Sequence, residues 1–126
     1  MLQKDKKKRK NIVYSCSGCS TAAQMANYLA LKLDRAGTLE MSCIAGVGGG
    51  VESLVKVAKS ADKILALDGC ALKCVEHCLA KHNIKPTEHV VLSDYNIRKL
   101  KHQDFDPRQA DEVLQKIIPL VEKMSR

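Results

Sequence analysis

Six cysteines are the main chemical feature of this chain of 126 residues, because five of them follow or end short apolar runs typical of buried β-strands. These five are Cys16, Cys19, Cys43, Cys70 and Cys74. Thiolates act as nucleophiles and as ligands of soft metal ions, so a cluster of them predicts a chemical site. If the strands are parallel neighbours, all five sulfur atoms meet at one edge of the sheet, where open α/β folds place their sites.

The spacing of the cysteines favours a bound metal ion. Cys16 and Cys19 form a Cys-x-x-Cys pair, a spacing that lets two thiolates bind one ion, as in many zinc sites. Cys70 and Cys74 are four residues apart, and we interpret them as one face of a helix. Cys78 would lie two turns into that helix, so we expect it to pack in the core.

Two other classes of function would use the same thiols. A thiol enzyme, acting in disulfide exchange or sulfur transfer, would use Cys16 or Cys19 as its nucleophile. An iron–sulfur carrier would use the thiolates as cluster ligands. The Ser-Gly pair inside the Cys-x-x-Cys segment is not the usual pair of a thioredoxin, and no arginine closes the loop after Cys16 as a low-molecular-weight phosphatase requires. Whether the protein is an enzyme stays open at this point.

A parallel sheet would bring these cysteines together, and the pattern of apolar residues predicts one. Strand-like runs occupy residues 12–14, 39–45, 64–67 and 90–92, and amphipathic helical runs occupy residues 20–36, 51–61, 71–83 and the segment after Asp106. Such alternation predicts a single α/β domain with a four-stranded, mostly parallel sheet and helices on both faces, a Rossmann-like three-layer arrangement. Ser20 and Asp106 are expected helix caps.

Three connecting segments lie where this sheet would present its carboxyl edge. The glycine-rich residues 46–50 are expected to form a flexible turn, with an anion-binding nest as the alternative. In the string Asp68-Gly69-Cys70, the glycine permits a tight turn, and Asp68 would orient a ligand, accept hydrogen bonds from loop amides or cap the next helix. Residues 95–104 are basic and irregular, and we expect them to cover the cysteines.

The charge and the amino-acid composition limit the classes of partner that we expect. Residues 4–10 carry +5 of the net charge of +7, so we interpret residues 1–10 as a basic disordered tail and residues 11–126 as the domain. The body of the chain is nearly neutral and aromatic residues are 3%, which argues against nucleic acid as a partner. The sequence has no recognisable export signal or membrane span, so we expect a cytoplasmic protein whose cysteines are thiols or metal ligands. A protein partner cannot be named.

Four blocks of the sequence resemble the DGC family of bacteria and archaea, named for its Asp-Gly-Cys string. The blocks are residues 14–19, 43–48 and 67–70, followed by Cys74. The resemblance implies a cysteine-based zinc site, with Cys16, Cys43, Cys70 and Cys74 as ligands, and no established reaction. Cys19 is an additional candidate, because the family pattern favours Cys43 in the quartet whereas the Cys-x-x-Cys spacing favours Cys19.

Overall fold

The computed structural model describes residues 10–125. Within this range, parallel strands form one four-stranded sheet in the order β2-β1-β3-β4. The strands are β1 (Asn11–Ser15), β2 (Glu40–Met41), β3 (Lys63–Asp68) and β4 (Glu88–Val91). The predicted α/β class and parallel sheet are therefore confirmed. The prediction of a disordered tail falls on residues 1–9, outside the described residues, and on Lys10, whose backbone N–H donates to Asp62.

Helices connect the strands and cover the sheet. They are α1 (Thr21–Arg35), α2 (Ile44–Gly48), α3 (Glu52–Ser60), α4 (Cys74–Ala80) and α5 (Pro107–Met124), with a 3₁₀ turn at Leu92–Tyr95. Helix α1 packs on β1, β3 and α5, whereas α2 packs against α3 and α4, and α4 packs on β3. The core consists of the apolar faces of these layers, with the central strand residues Leu65, Ala66 and Leu67 fully buried.

The caps that local sequence predicts are present. Ser20 accepts a hydrogen bond from the backbone N–H of Ala23 and starts α1, and Asp106 accepts one from Arg108 at the start of α5. Pro119 lies inside α5, which continues to Met124. None of the helices within residues 10–125 is long and apolar enough to cross a membrane.

Residues 46–48 belong to a helix, so the prediction of a flexible turn at residues 46–50 was wrong for these three residues. Gly49 and Gly50 do form a turn, and Gly50 has a positive φ of 75°. Helix α2 begins after Cys43, which shortens the predicted second strand to Glu40–Met41. The glycines serve close packing: a Cβ on Gly46 would lie 2.0 Å from Leu54 Cδ1, and one on Gly48 would lie 2.7 Å from Cys78 Sγ. Their missing side chains let α2 approach α3 and α4.

Helix α4 begins at Cys74, three residues later than predicted, so Cys70 and Cys74 do not share a helix face. Cys70 lies in the turn before the helix, and Lys73 adopts a left-handed conformation that separates the two. Leu72, which lies inside the helical run predicted at residues 71–83, is 64% exposed in this turn. The later start follows from Asp68, whose carboxylate accepts the backbone N–H groups of Val75 and Glu76.

Candidate functional site

Adjacent parallel strands bring the first and third cysteine segments together. Ser15 pairs with Leu67 in the β1–β3 register, and the backbone N–H of Cys16 donates to the carbonyl oxygen of Leu67 at 3.0 Å. One step further, the N–H of Gly69 donates to Cys16 Sγ at 3.2 Å. Residues 53 positions apart in sequence therefore touch at the carboxyl edge of the sheet.

A cavity of about 270 Å³ opens between these two segments. Four of the five predicted ligands line it, namely Cys16, Cys19, Cys70 and Cys74. Its other walls include the apolar side chains of Ala22, Ala23 and Leu72 and the long side chains of Lys99 and Lys101. The structure thus collects sulfur atoms and positive charge in one place, with no carboxylate among the described lining residues.

Cys16 is the buried member of the four. Burial raises the pKa of its thiol, the hydrogen bond from Gly69 partly opposes that rise, and the nearby charges of Asp68, Cys74 and Cys70 raise it further. This thiol is therefore protonated and a poor nucleophile at neutral pH. Because several negative charges would meet here if the thiols ionised, a cation in the cavity would stabilise the thiolate forms.

Asp68, Gly69 and Cys70 have three separate roles. The buried carboxylate of Asp68 accepts amide hydrogen bonds from the first turn of α4, so of the three roles considered for it the helix cap is the one observed. A Cβ on Gly69 would lie 2.8 Å from the backbone carbon and oxygen of Ala22, so this glycine lets the turn pack against the start of α1. Cys70 follows at the cavity wall.

Cys43 lies outside the cavity. It follows β2, and its Sγ accepts the N–H of Gly46 at 3.4 Å as the cap of α2. The side chain is exposed. Its proposed ligand role therefore stays a prediction, one that the geometry around Cys16 does not support. The Cys-x-x-Cys spacing, which favoured Cys19 over Cys43, agrees better with the lining of the cavity.

Cys78 packs between helices and not at the cavity. It is partly buried, its Sγ faces Gly48 of α2, and burial raises the pKa of its thiol. The expected core position of Cys78 is therefore only partly reached, because its side chain is partly buried.

The basic segment predicted to cover the cysteines does reach them. Lys99 Nζ donates to Cys70 Sγ at 3.5 Å, and Lys101 also lines the cavity. Helix α1 holds this segment: Gln24 donates to the carbonyl oxygens of Cys19 and Gln103, both at 2.9 Å, and accepts the N–H of Phe105. The sequence indicated the segment, but not the two lysines or Gln24, because no local motif marks them.

The donor set fits a soft metal ion, since thiolates are preferred by Zn²⁺ and by iron in clusters. Within residues 10–125, however, no three Cys, His, Asp or Glu side chains lie close enough together to hold an ion. Cys19 and Cys74 are exposed and Cys70 is partly exposed. Their short side chains turn about a single torsion angle, so binding would require these sulfur atoms to reorient toward Cys16.

Comparison with known proteins gives one family and one close curated relative. The model of the DGC domain matches residues 12–117. The chain is 54% identical over 102 residues to a Pseudomonas aeruginosa protein named anaerobic and virulence modulator AnvM, an alignment that covers 81% of this chain and 78% of the relative. A search of solved structures found no significant match.

Proposed function

This chain belongs to the DGC domain family, and from that premise we propose that it is a metal-binding protein whose cavity thiolates hold a soft divalent ion, Zn²⁺ before others. The supporting observation is the meeting of Cys16 with the segment that carries Cys70 and Cys74. We propose these three as the ligands, with Cys19 at the rim of the cavity. Zinc would supply a Lewis acid that keeps the thiolates deprotonated at neutral pH.

Three groups around the cavity would support metal binding by the thiolates. Gly69 donates a hydrogen bond to Cys16 Sγ, which stabilises the thiolate form. Asp68 fixes the first turn of α4 and thereby the backbone of Cys74. Lys99 donates to Cys70 Sγ, and its positive charge would offset the negative charge that three thiolates leave on a divalent ion. Because exposed thiolates oxidise outside a reducing compartment, we propose a cytoplasmic location.

The thiol-enzyme alternative receives less support. Its nucleophile would be Cys16 or Cys19, and the raised pKa of Cys16 keeps that thiol protonated. Cys19 is exposed, and no His side chain lines the cavity among the described residues. An iron–sulfur cluster would use the same thiolates and is separated from zinc by experiment. The relative's name describes a modulator, and an oxidisable thiol site would suit a modulatory protein.

Elemental analysis of the full chain, purified without oxygen, tests this proposal. We expect about one zinc ion per chain and more titratable thiols after a chelator than before it. Colourless protein would agree with zinc, whereas brown protein containing iron and sulfide would support the cluster alternative. Metal-free protein that also fails to take up added zinc or iron would overturn metal binding.

A further inference from the structure

Two positive side chains at the thiol cavity have no carboxylate partner among the residues that the structure describes. Lys99 and Lys101 both line the cavity, and within residues 10–125 no Asp or Glu lies within ion-pair distance of either ammonium group. The polar contact that Lys99 does make is with Cys70 Sγ at 3.5 Å. Positive charge is therefore directed at the cavity, where it would attract an anion.

The backbone between the two lysines is held in place. Leu100 donates its N–H to Thr21 Oγ1 and accepts the N–H of Thr21, both at 2.9 Å, and Thr21 Oγ1 also donates to the carbonyl oxygen of Arg98. These bonds tie the segment to the first turn of α1. Because the backbone is fixed on both sides of Leu100, the lysines start from positions that face the cavity, and less conformational entropy is lost when they bind.

The rest of the cavity suits the apolar part of a small molecule. Ala22, Ala23 and Leu72 line it, and Leu72 is 64% exposed at a place where a ligand would cover it. The volume of about 270 Å³ lies near the lower end of small-molecule sites. The charge, the volume and the apolar lining together favour a small anion with some apolar surface.

We propose that this cavity binds a small thiol that also carries a carboxylate group. Its carboxylate would pair with Lys99 and Lys101, and its sulfur would complete the ligand set of Cys16, Cys70 and Cys74. This inference rests on the proposed function, because three protein ligands leave one position of a tetrahedral zinc site to a ligand from outside. A soft ion prefers sulfur in that position. The thiol loses its proton to solvent, and no group is oxidised or reduced.

Calorimetric titration of the zinc-loaded full chain tests the inference with three matched probes. N-acetylcysteine carries both groups, its amide lacks the carboxylate, and its S-methyl ether lacks the free thiol. We expect N-acetylcysteine to bind, the amide to bind roughly fivefold more weakly, as for the loss of an exposed ion pair, and the ether not to bind measurably. Equal affinity for the acid and the amide would overturn the role of the lysines.

Variants assign the effect to the two lysines. In Lys99→Met and Lys101→Met, the ratio of the affinity for N-acetylcysteine to the affinity for its amide should fall toward one. In Lys99→Arg, which keeps the positive charge, this ratio should stay close to that of the wild type. Lys116→Met is the matched control, because Lys116 is exposed on α5 and does not line the cavity. An unchanged preference in both Met variants would contradict the inference.

Zinc content measured on the same samples separates this inference from the proposed function. Zinc bound without any binding of the acid would overturn the inference alone. Wild-type protein that does not retain zinc would overturn both. If Lys99→Met loses zinc, as the charge balance proposed for Lys99 allows, Lys101→Met carries the test. Loss of zinc from both Met variants would mean that the two lysines only balance the charge of the thiolates, which also overturns the inference.

Discussion

The ring nitrogen Nε2 of His89 lies 2.7 Å from Oδ2 of Asp68, so a side chain on β4 donates to the carboxylate that ends β3. The other carboxylate oxygen accepts the backbone N–H of Val75 at 2.8 Å. Asp68 is 1% exposed, and a buried carboxylate is tolerated because it is paired. One side chain thereby joins β3, β4 and α4, and it sets the position of the helix that begins with Cys74.

Asp68→Ala should therefore destabilise the protein. The change removes the acceptor of two backbone N–H groups at the start of α4 and leaves His89 with only its longer contact to Glu76 at 3.6 Å, so we expect a loss of about 1–3 kcal/mol in the free energy of unfolding. Asp94→Ala is the control, because Asp94 is exposed in the 3₁₀ turn. Denaturant unfolding of the metal-free proteins measures the stability of the wild type and of both variants. An unfolding midpoint of Asp68→Ala equal to that of the wild type would contradict this role for Asp68.

Single cysteine variants should separate the cavity thiols from the others. Cys70→Ser and Cys74→Ser should lose stoichiometric zinc, since both residues line the cavity beside Cys16. Cys43→Ser and Cys78→Ala should retain it, because Cys43 caps α2 and Cys78 faces Gly48. Elemental analysis after dialysis gives the zinc content of each variant. Full zinc in Cys70→Ser, or its loss from Cys43→Ser, would require a different ligand set.

Gly48 and Cys78 should show energetic coupling. A Cβ at Gly48 would lie 2.7 Å from Cys78 Sγ but 3.6 Å from its Cβ, so Gly48→Ala creates a clash that Cys78→Ala removes. We expect Gly48→Ala to cost about 1–3 kcal/mol, as overpacking does, and the double variant to recover part of that loss. The stabilities of the wild type, the two single variants and the double variant, measured by thermal unfolding, form a double-mutant cycle that gives the coupling between the two residues. Strictly additive effects would show that α2 and α4 do not meet through these two residues.

The stability of the metal-free protein should fall at alkaline pH because of Cys16. Its pKa is raised in the folded state by burial, so the folded chain holds this proton more tightly than the unfolded chain. The contribution of the protonated Cys16 thiol to the free energy of unfolding is fully present below the pKa of an unfolded thiol, about 8.5. It is lost as the pH rises from there through the raised pKa of the folded state.

Comparison of the wild type with Cys16→Ala isolates this contribution. Buried Tyr14, whose pKa is also raised by burial, is present in both proteins, so its effect should largely cancel in the difference. Unfolding free energies measured from neutral to alkaline pH should fall more steeply for the wild type. Parallel curves would mean that the Cys16 thiol titrates alike in the folded and unfolded chains.

Much of the fold and part of the site follow from local sequence. The period of apolar residues predicts the strands and helices, and Ser20 and Asp106 cap the helices that they precede, because these interactions span only a few residues. The parallel α/β class then brings the segments of Cys16 and Cys70 to one edge, as observed. Local sequence failed at residues 46–48, which are helical and whose glycines Gly46 and Gly48 pack closely against Leu54 and Cys78.

By itself the sequence determined the fold class, the edge at which thiols collect and the identity of the cavity-lining cysteines as candidates. Tertiary structure alone decided that Cys43 lies apart from the others, that α4 starts at Cys74 and that Lys99 reaches Cys70. The physical reason is range: the contacts of His89 with Asp68 and of Lys99 with Cys70 join residues 21 and 29 positions apart. The periodicity of a helix or strand relates only residues that are a few positions apart, so it cannot predict these contacts. They form only when the elements of the chain pack together.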